Sequence, residues 1–177
     1  MKRSGIRVMA SLVGLVKPLS GYMSLAVLLG LLGQLCATAI TVLGGFAVLH
    51  ALGMEQSVSL PAWFLLIGLC ALLRGVLRYG EQTCNHFIAF KLLALLRDRV
   101  FAVLRRLCPA KLEGKNKGNL ISVITSDIEL LEVFYAHTIS PICIAVLYTV
   151  TAAAFVSLYH PILGGITLLA HGTVGIL

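Results

Sequence analysis

The sequence predicts an all-α polytopic membrane protein whose long helices extend beyond the bilayer. Three observations carry this. Apolar residues make up 59% of the 177 and charged residues only 12%, with a mean hydropathy of +0.98, whereas soluble domains run nearer a quarter charged. Apolar stretches of about 20 residues, the length that crosses a hydrocarbon core, recur along the chain. Finally, residues 61–107 contain no proline after Pro61 and pass from apolar to strongly charged with no breaking signal, so they read as one helix. At about 1.5 Å per residue that helix is roughly 70 Å long, against about 30 Å of hydrocarbon. About half of it therefore stands in water or against protein.

Residues 1–19 read as an amphipathic elbow on the cytoplasmic face. Lys2, Arg3, Arg7 and Lys17 flank a short apolar run, and Pro18 turns the chain inward. No small-residue cleavage site follows the run, which argues against a signal peptide. A first span covers about 20–49 without a charged residue, and Gly33, Ala37, Thr41 and Gly45 form a small-residue stripe along it. Such a stripe lets another helix approach closely. Residues 50–60 form a short external connection.

The second span covers about 61–85. An intracellular extension and coupling region follows over about 86–136. Within it, Cys108-Pro109 ends the long helix, and Ala110, Lys111, Leu112, Glu113, Gly114, Lys115 and Gly118 belong to a compact basic connector. Leu120, Ile121, Ile124, Ile128, Leu131 and Phe134 then mark the apolar face of a resumed helix. A third span covers about 137–158, with a kink expected at Pro141. Tyr159-His160-Pro161 turns the chain into a fourth apolar stretch, 162–177, short for a crossing. The expectation is that the chain is the front part of a longer protein. Basic residues precede the first span and recur after the second, from Arg97 to Lys115, so the positive-inside rule puts both groups, and the N-terminus, in the cytoplasm of a multi-pass inner or plasma membrane protein.

The net charge of +7 flanks spans rather than interleaving with aromatics, so topology explains it and no nucleic-acid partner is expected. Five scattered cysteines without a paired spacing exclude a disulfide framework or a zinc site, and no metal site is expected. No G-x-x-x-x-G-K-[ST] loop, H-E-x-x-H or G-x-S-x-G occurs. The chain thus has no phosphate cradle and no catalytic residue of its own.

Arg74, Arg78, Glu81, Gln82 and Asn85 fall within roughly a 100° arc of the long helix. Charges at membrane depth normally face a cavity or a partner. One reading is a hydrophilic wall of a translocation cavity that is net positive, because Glu81 neutralises one arginine of two. The other is an Arg78–Glu81 pair on its own helix near the headgroups. His86, one turn after Gln82, is either a packing residue or a ligand, since a neutral imidazole can hold metal or haem. His137, His160 and His171 read as interfacial polar residues.

With the long helix, connector and resumed helix in place, the chain resembles the membrane half of an ABC exporter of the long-intracellular-helix type. After the connector, Gly118, Leu120, Ser122 and Asp127 match the family pattern, while Asn119 replaces its acidic residue and Val123 its arginine. Within that family it is most similar to the CydC-type half of the heterodimeric thiol-reductant exporter of cytochrome bd biogenesis. That likeness rests on Arg78-Tyr79-Gly80-Glu81, His86, Phe90, Leu95-x-Arg97, Leu107-x-Pro109-Ala110 and Ile139-Ser140-Pro141.

The resemblance implies an incomplete exporter transmembrane domain over 20–177. Its partners would be membrane lipid, a second half and a nucleotide-binding domain supplied elsewhere, which would bind ATP and Mg. The exported species would be glutathione or cysteine. The resemblance also places His86 as the candidate haem ligand and the connector as the coupling element that docks on the nucleotide-binding domain. A haem- or partner-binding scaffold, or a fragment without transport activity, is the alternative.

Overall fold

The computed structural model describes residues 19–54, 57–107, 122, 125–126, 129–130 and 133–176. Every regular element among them is a helix: α1 (Ser20–Ala51), α2 (Leu60–Leu107), a π-helical turn (Tyr135–Ile139), α3 (Ser140–Ser157) and α4 (Pro161–Ile176). The protein is an all-α membrane domain. Among the described residues, three helical segments are long and apolar enough to cross a membrane, in Ser20–Ala51, Leu60–Arg106 and His137–Ser157, and Pro161–Gly175 is a shorter apolar helix. The N-terminal elbow up to Pro18, the connector from Ala110 to Gly118 and most of the resumed helix after it lie outside the described residues.

The helix ends follow from local chemistry. α1 stops at Gly53, whose φ of +86° suits a residue without Cβ. Gly53 N–H donates to the His50 carbonyl at 3.0 Å and Met54 N–H to that of Leu49 at 3.2 Å, the two bonds of a Schellman ending. α2 starts under Ser59, whose carbonyl accepts from Ala62 and Trp63. Pro61 sits in the first turn, where its missing N–H costs nothing. All 48 residues of α2 are helical, as the absence of an internal proline requires.

The π-helical turn ends directly before Ser140-Pro141. Proline offers no N–H, and its ring crowds the carbonyl four residues back, here that of His137. A π-helical turn thus directly precedes the proline at which the sequence led us to expect a kink. α3 and α4 join through His160. Its ring Nδ1 accepts from Ile162 N–H at 3.3 Å, and its carbonyl accepts from Leu163 and Gly164, so His160 caps α4 rather than merely marking an interface.

The chain divides into two compact units. The first joins residues up to Ala26 with Gln82–Ser140. Its core is Ile88 and Leu92, with Leu19, Met23, Phe134 and Ile139 packed around them. The Tyr22 and Phe87 rings meet at 4.7 Å, and Lys91 Nζ lies 5.8 Å over the Phe87 ring.

The second unit joins Val27–Glu81 with Pro141–Leu177, and glycines set its packing. A Cβ on Gly30 would collide with Ile144 and lie 3.0 Å from the Glu81 carboxyl carbon; one on Gly80 would lie 3.1 Å from Leu29. Gly33 makes only ordinary contact with Leu77, and Gly45 has nothing within 4 Å. Close approach to α1 therefore centres on Gly30 and Gly80 rather than on the fourfold stripe. In lipid, where apolar burial gives no net drive, such fits and interhelical hydrogen bonds are what hold helices together.

Candidate functional site

The second unit contains a cavity of about 630 Å³. Gln34 of α1, Arg78 and Glu81 of α2, Tyr148 and Thr149 of α3 and His171 of α4 supply its polar lining. α2 brings Arg78 and Glu81 together because they are three residues apart on one helix face. Arg78 Nη1 donates to both Glu81 carboxylate oxygens, at 2.8 and 2.7 Å. The pair is lopsided: the Glu81 side chain is 3% exposed and that of Arg78 62%. A buried carboxylate without a cation would be costly.

Opposite, Thr38 Oγ1 donates to the Gln34 carbonyl at 3.2 Å, which leaves the Tyr148 hydroxyl to donate to Thr38 at 2.8 Å. The Tyr148 and His171 rings meet edge-on at 5.8 Å. His171 Nδ1 lies 2.9 Å from the Thr167 carbonyl. A carbonyl only accepts, so Nδ1 carries the hydrogen and Nε2 holds the lone pair in the neutral ring.

Of the residues read as a cavity wall, this places Arg78 and Glu81 in the lining. Arg74 is exposed and not among the lining residues. The charged side chains of the lining are one arginine and one glutamate, and His171 adds an imidazole. Gln82 and Asn85 belong to the first unit. There Gln82 is half-buried, and Asn85 is 1% exposed with neither amide atom partnered.

Reading by charge missed Gln34, Tyr148, Thr149 and His171. The signal that finds them is weaker: hydrogen-bonding side chains recurring in spans that carry no charge, which are rare in lipid-facing positions.

The first unit holds the other candidate. His86 is exposed, stacks at 6.0 Å on Phe90 and meets the His137 ring edge-on at 5.8 Å. Two imidazoles and a flat aromatic neighbour suit a planar ligand or a metal held from His nitrogens. Among the described residues, no group of three or more metal-ligating side chains occurs.

A probable ABC transporter ATP-binding/permease protein of Haemophilus influenzae is 49% identical over 145 residues, 82% of this chain and 26% of that protein. The relatives of this chain are ABC transporter ATP-binding/permease proteins. The glutathione/L-cysteine transport system ATP-binding/permease protein CydC of H. influenzae is 33% identical over 73 residues, 41% of this chain and 13% of its own length. CydC of Escherichia coli is 33% identical over 72 residues, with the same shares. No protein-family model matches the chain. The chain spans about a quarter of the first relative's length and about an eighth of the other two. An all-α, multi-pass membrane domain is what these relatives and the three long apolar helices agree on.

Proposed function

We propose that this chain is the membrane-spanning part of an ATP-driven ABC exporter. It works as one half of a heterodimer and exports a small thiol, glutathione or cysteine, in support of cytochrome bd assembly. The observation that carries the reading is the 49% identity to an ABC transporter ATP-binding/permease protein across 82% of this chain. The thiol is suggested by the two CydC relatives, whose similarity covers 41% of the chain, and by the Arg78–Glu81 cavity.

The energy comes from a nucleotide-binding domain that binds ATP and Mg, since the sequence holds no phosphate-binding loop. Lys111 and Lys115 of the connector are the basic residues proposed to dock on that domain. Of the five residues read from the sequence as a cavity wall, Arg78 and Glu81 are the ones proposed to face substrate, since both line the cavity.

Everted membrane vesicles containing the full transporter test this directly. ATP-dependent accumulation of radiolabelled glutathione or cysteine above that of vesicles lacking the gene is expected. Accumulation equal to the control in both cases overturns the thiol reading. The doubly reversed variant Lys111→Glu with Lys115→Glu should lose most substrate-stimulated ATPase activity; an unchanged stimulation removes the connector from the coupling role.

The His86–His137 pair favours a second reading, a haem- or partner-binding scaffold. The exposed imidazole of His86 with a second ring nearby fits an axial ligand, and haem would supply redox chemistry there. A Soret band in purified protein, lost in His86→Ala, is its expected signature. Protein that shows no haem absorbance after reconstitution with haemin removes it.

A further inference from the structure

Arg74 of α2 is exposed and, among the described residues, makes no hydrogen bond or ion pair. It lies about 14 residues into a helix that begins at Leu60, roughly 21 Å along the axis. The hydrocarbon core is about 30 Å thick, so that position falls inside it. Cβ bonds of an α-helix tilt toward the N-terminus. The Arg74 side chain therefore sets out toward the apolar start of α2, away from its charged end, and snorkelling to that end works against this direction. A guanidinium at such depth needs an anion.

The described spans of this chain do not supply one. α1, α3 and α4 contain neither Asp nor Glu, and the Glu81 carboxylate is taken by Arg78, at 2.8 and 2.7 Å. A second copy of the chain would bring the same set and oppose arginine to arginine. Beside Arg74, Gly68, Ala71 and Gly75 recur at three- and four-residue spacing, and all three are exposed. Nothing lies within 4 Å of a Cβ placed on Gly68 or Gly75, whereas α1 meets α2 elsewhere, at Leu77 and Gly80. Small residues around one polar side chain are what lets a further helix approach closely in lipid and bond to it.

We propose that Arg74 and the Gly68, Ala71 and Gly75 face of α2 dock a transmembrane helix of the second half, and that this helix carries an aspartate or glutamate at the depth of Arg74. This rests on the heterodimeric exporter reading and adds the surface and the chemistry of the partner. Arg78 is answered within the fold, Arg74 across the interface. Such a pairing selects against self-association, because a like charge opposite Arg74 is repelled and a carboxylate is held.

The test is photocrosslinking in membranes that hold the full-length transporter with an affinity tag on this chain. With p-benzoylphenylalanine in place of Ala71, irradiation should join it to an ABC chain of different sequence, at a peptide that mass spectrometry places in an apolar segment bearing Asp or Glu. Arg74→Leu, which lipid accommodates better than arginine, should stay in the membrane yet lower co-purification of that second chain about tenfold. Arg74→Lys should hold it near the wild-type level, and Arg74→Glu combined with an arginine at the mapped carboxylate should restore it.

An adduct confined to the same polypeptide, to a second copy of it or to lipid overturns the inference, as does undiminished co-purification with Arg74→Leu. Each of these leaves the exporter reading standing, since ATP-dependent accumulation in vesicles tests that separately. A wild-type transporter that purifies without any second ABC chain overturns the inference and the heterodimer reading together. Should Arg74→Leu fail to accumulate in the membrane, the crosslink from position 71, made with Arg74 in place, still decides.

Discussion

A single carboxylate shows how residue chemistry constrains this protein. Glu81 is almost wholly buried, in a segment apolar enough to cross lipid, where an unpaired charge is expensive. Arg78 offsets that cost from three residues away. Arg78→Ala therefore acts twice, removing a cation and stranding an anion. It should destabilise the chain by about 2 kcal/mol, below the 3–5 of a fully buried pair because the guanidinium is largely exposed. Arg78→Ala with Glu81→Gln should recover most of that loss, and thermal unfolding in detergent measures the difference. A double variant no more stable than Arg78→Ala would mean that Glu81 is not held by this pair.

The same logic warns against reading a loss of anion binding in Arg78→Ala as a lost ligand contact, since the stranded Glu81 repels anions too. The spacing of Arg78 and Glu81 was legible in the sequence. The burial of one partner was not, because it depends on Gly30, which lies some 50 positions earlier. Gly30→Val should cost about 1–3 kcal/mol by driving into Ile144 and Glu81. An unchanged unfolding temperature would show that α1 does not pack there.

Between elements, what decides packing is which small residue faces a backbone. Gly164 of α4 lies where a Cβ would sit 2.9 Å from the Ala153 carbonyl oxygen and collide with the Ser157 hydroxyl. A carbonyl of α3 cannot turn aside as a side-chain tip can. Gly165, its neighbour, has nothing within 4 Å. Gly164→Ala should therefore splay the α3–α4 hairpin and cost about 1–3 kcal/mol, whereas Gly165→Ala should be neutral or stabilise by about 0.5–1 kcal/mol through helix propensity. Equal unfolding midpoints for the two would contradict the packing.

This contrast also explains what could be read ahead of the structure. Helix existence follows from apolar length and absent proline, both local, so α1 and α2 were plain in the sequence. Helix facing is a tertiary property. The stripe through Gly33, Ala37, Thr41 and Gly45 is a real periodicity, yet the tight contacts form at Gly30 and Gly80. Likewise Thr38 and Tyr148 are 110 positions apart, and no window along the sequence joins them into one hydrogen bond.

At the scale of the whole molecule, function depends on which side of the membrane each connection occupies. The argument for orientation is electrostatic and independent of helix packing. Lys2, Arg3, Arg7 and Lys17 precede α1, and Arg97, Arg99, Arg105, Arg106, Lys111 and Lys115 lie late in α2 or beyond it. Two spans separate the groups, so one side can retain both. The α1–α2 connection carries Glu55 and no lysine or arginine, and nothing opposes its translocation. The proposed coupling role requires that the basic connector face the compartment holding nucleotide. Alkaline phosphatase fused after Gln56 should therefore be active, since that enzyme folds only outside the cytoplasm, and the same fusion after Gly114 should be inactive. The reverse pattern would put the connector on the wrong side of the membrane for a nucleotide-binding domain to reach it. Replacing Lys2, Arg3, Arg7 and Lys17 together by neutral residues weakens only one of the two retained groups. The Gly114 fusion should then stay inactive if the late basic residues of α2 hold the connector inside on their own, and gain activity if the first span alone dictates topology.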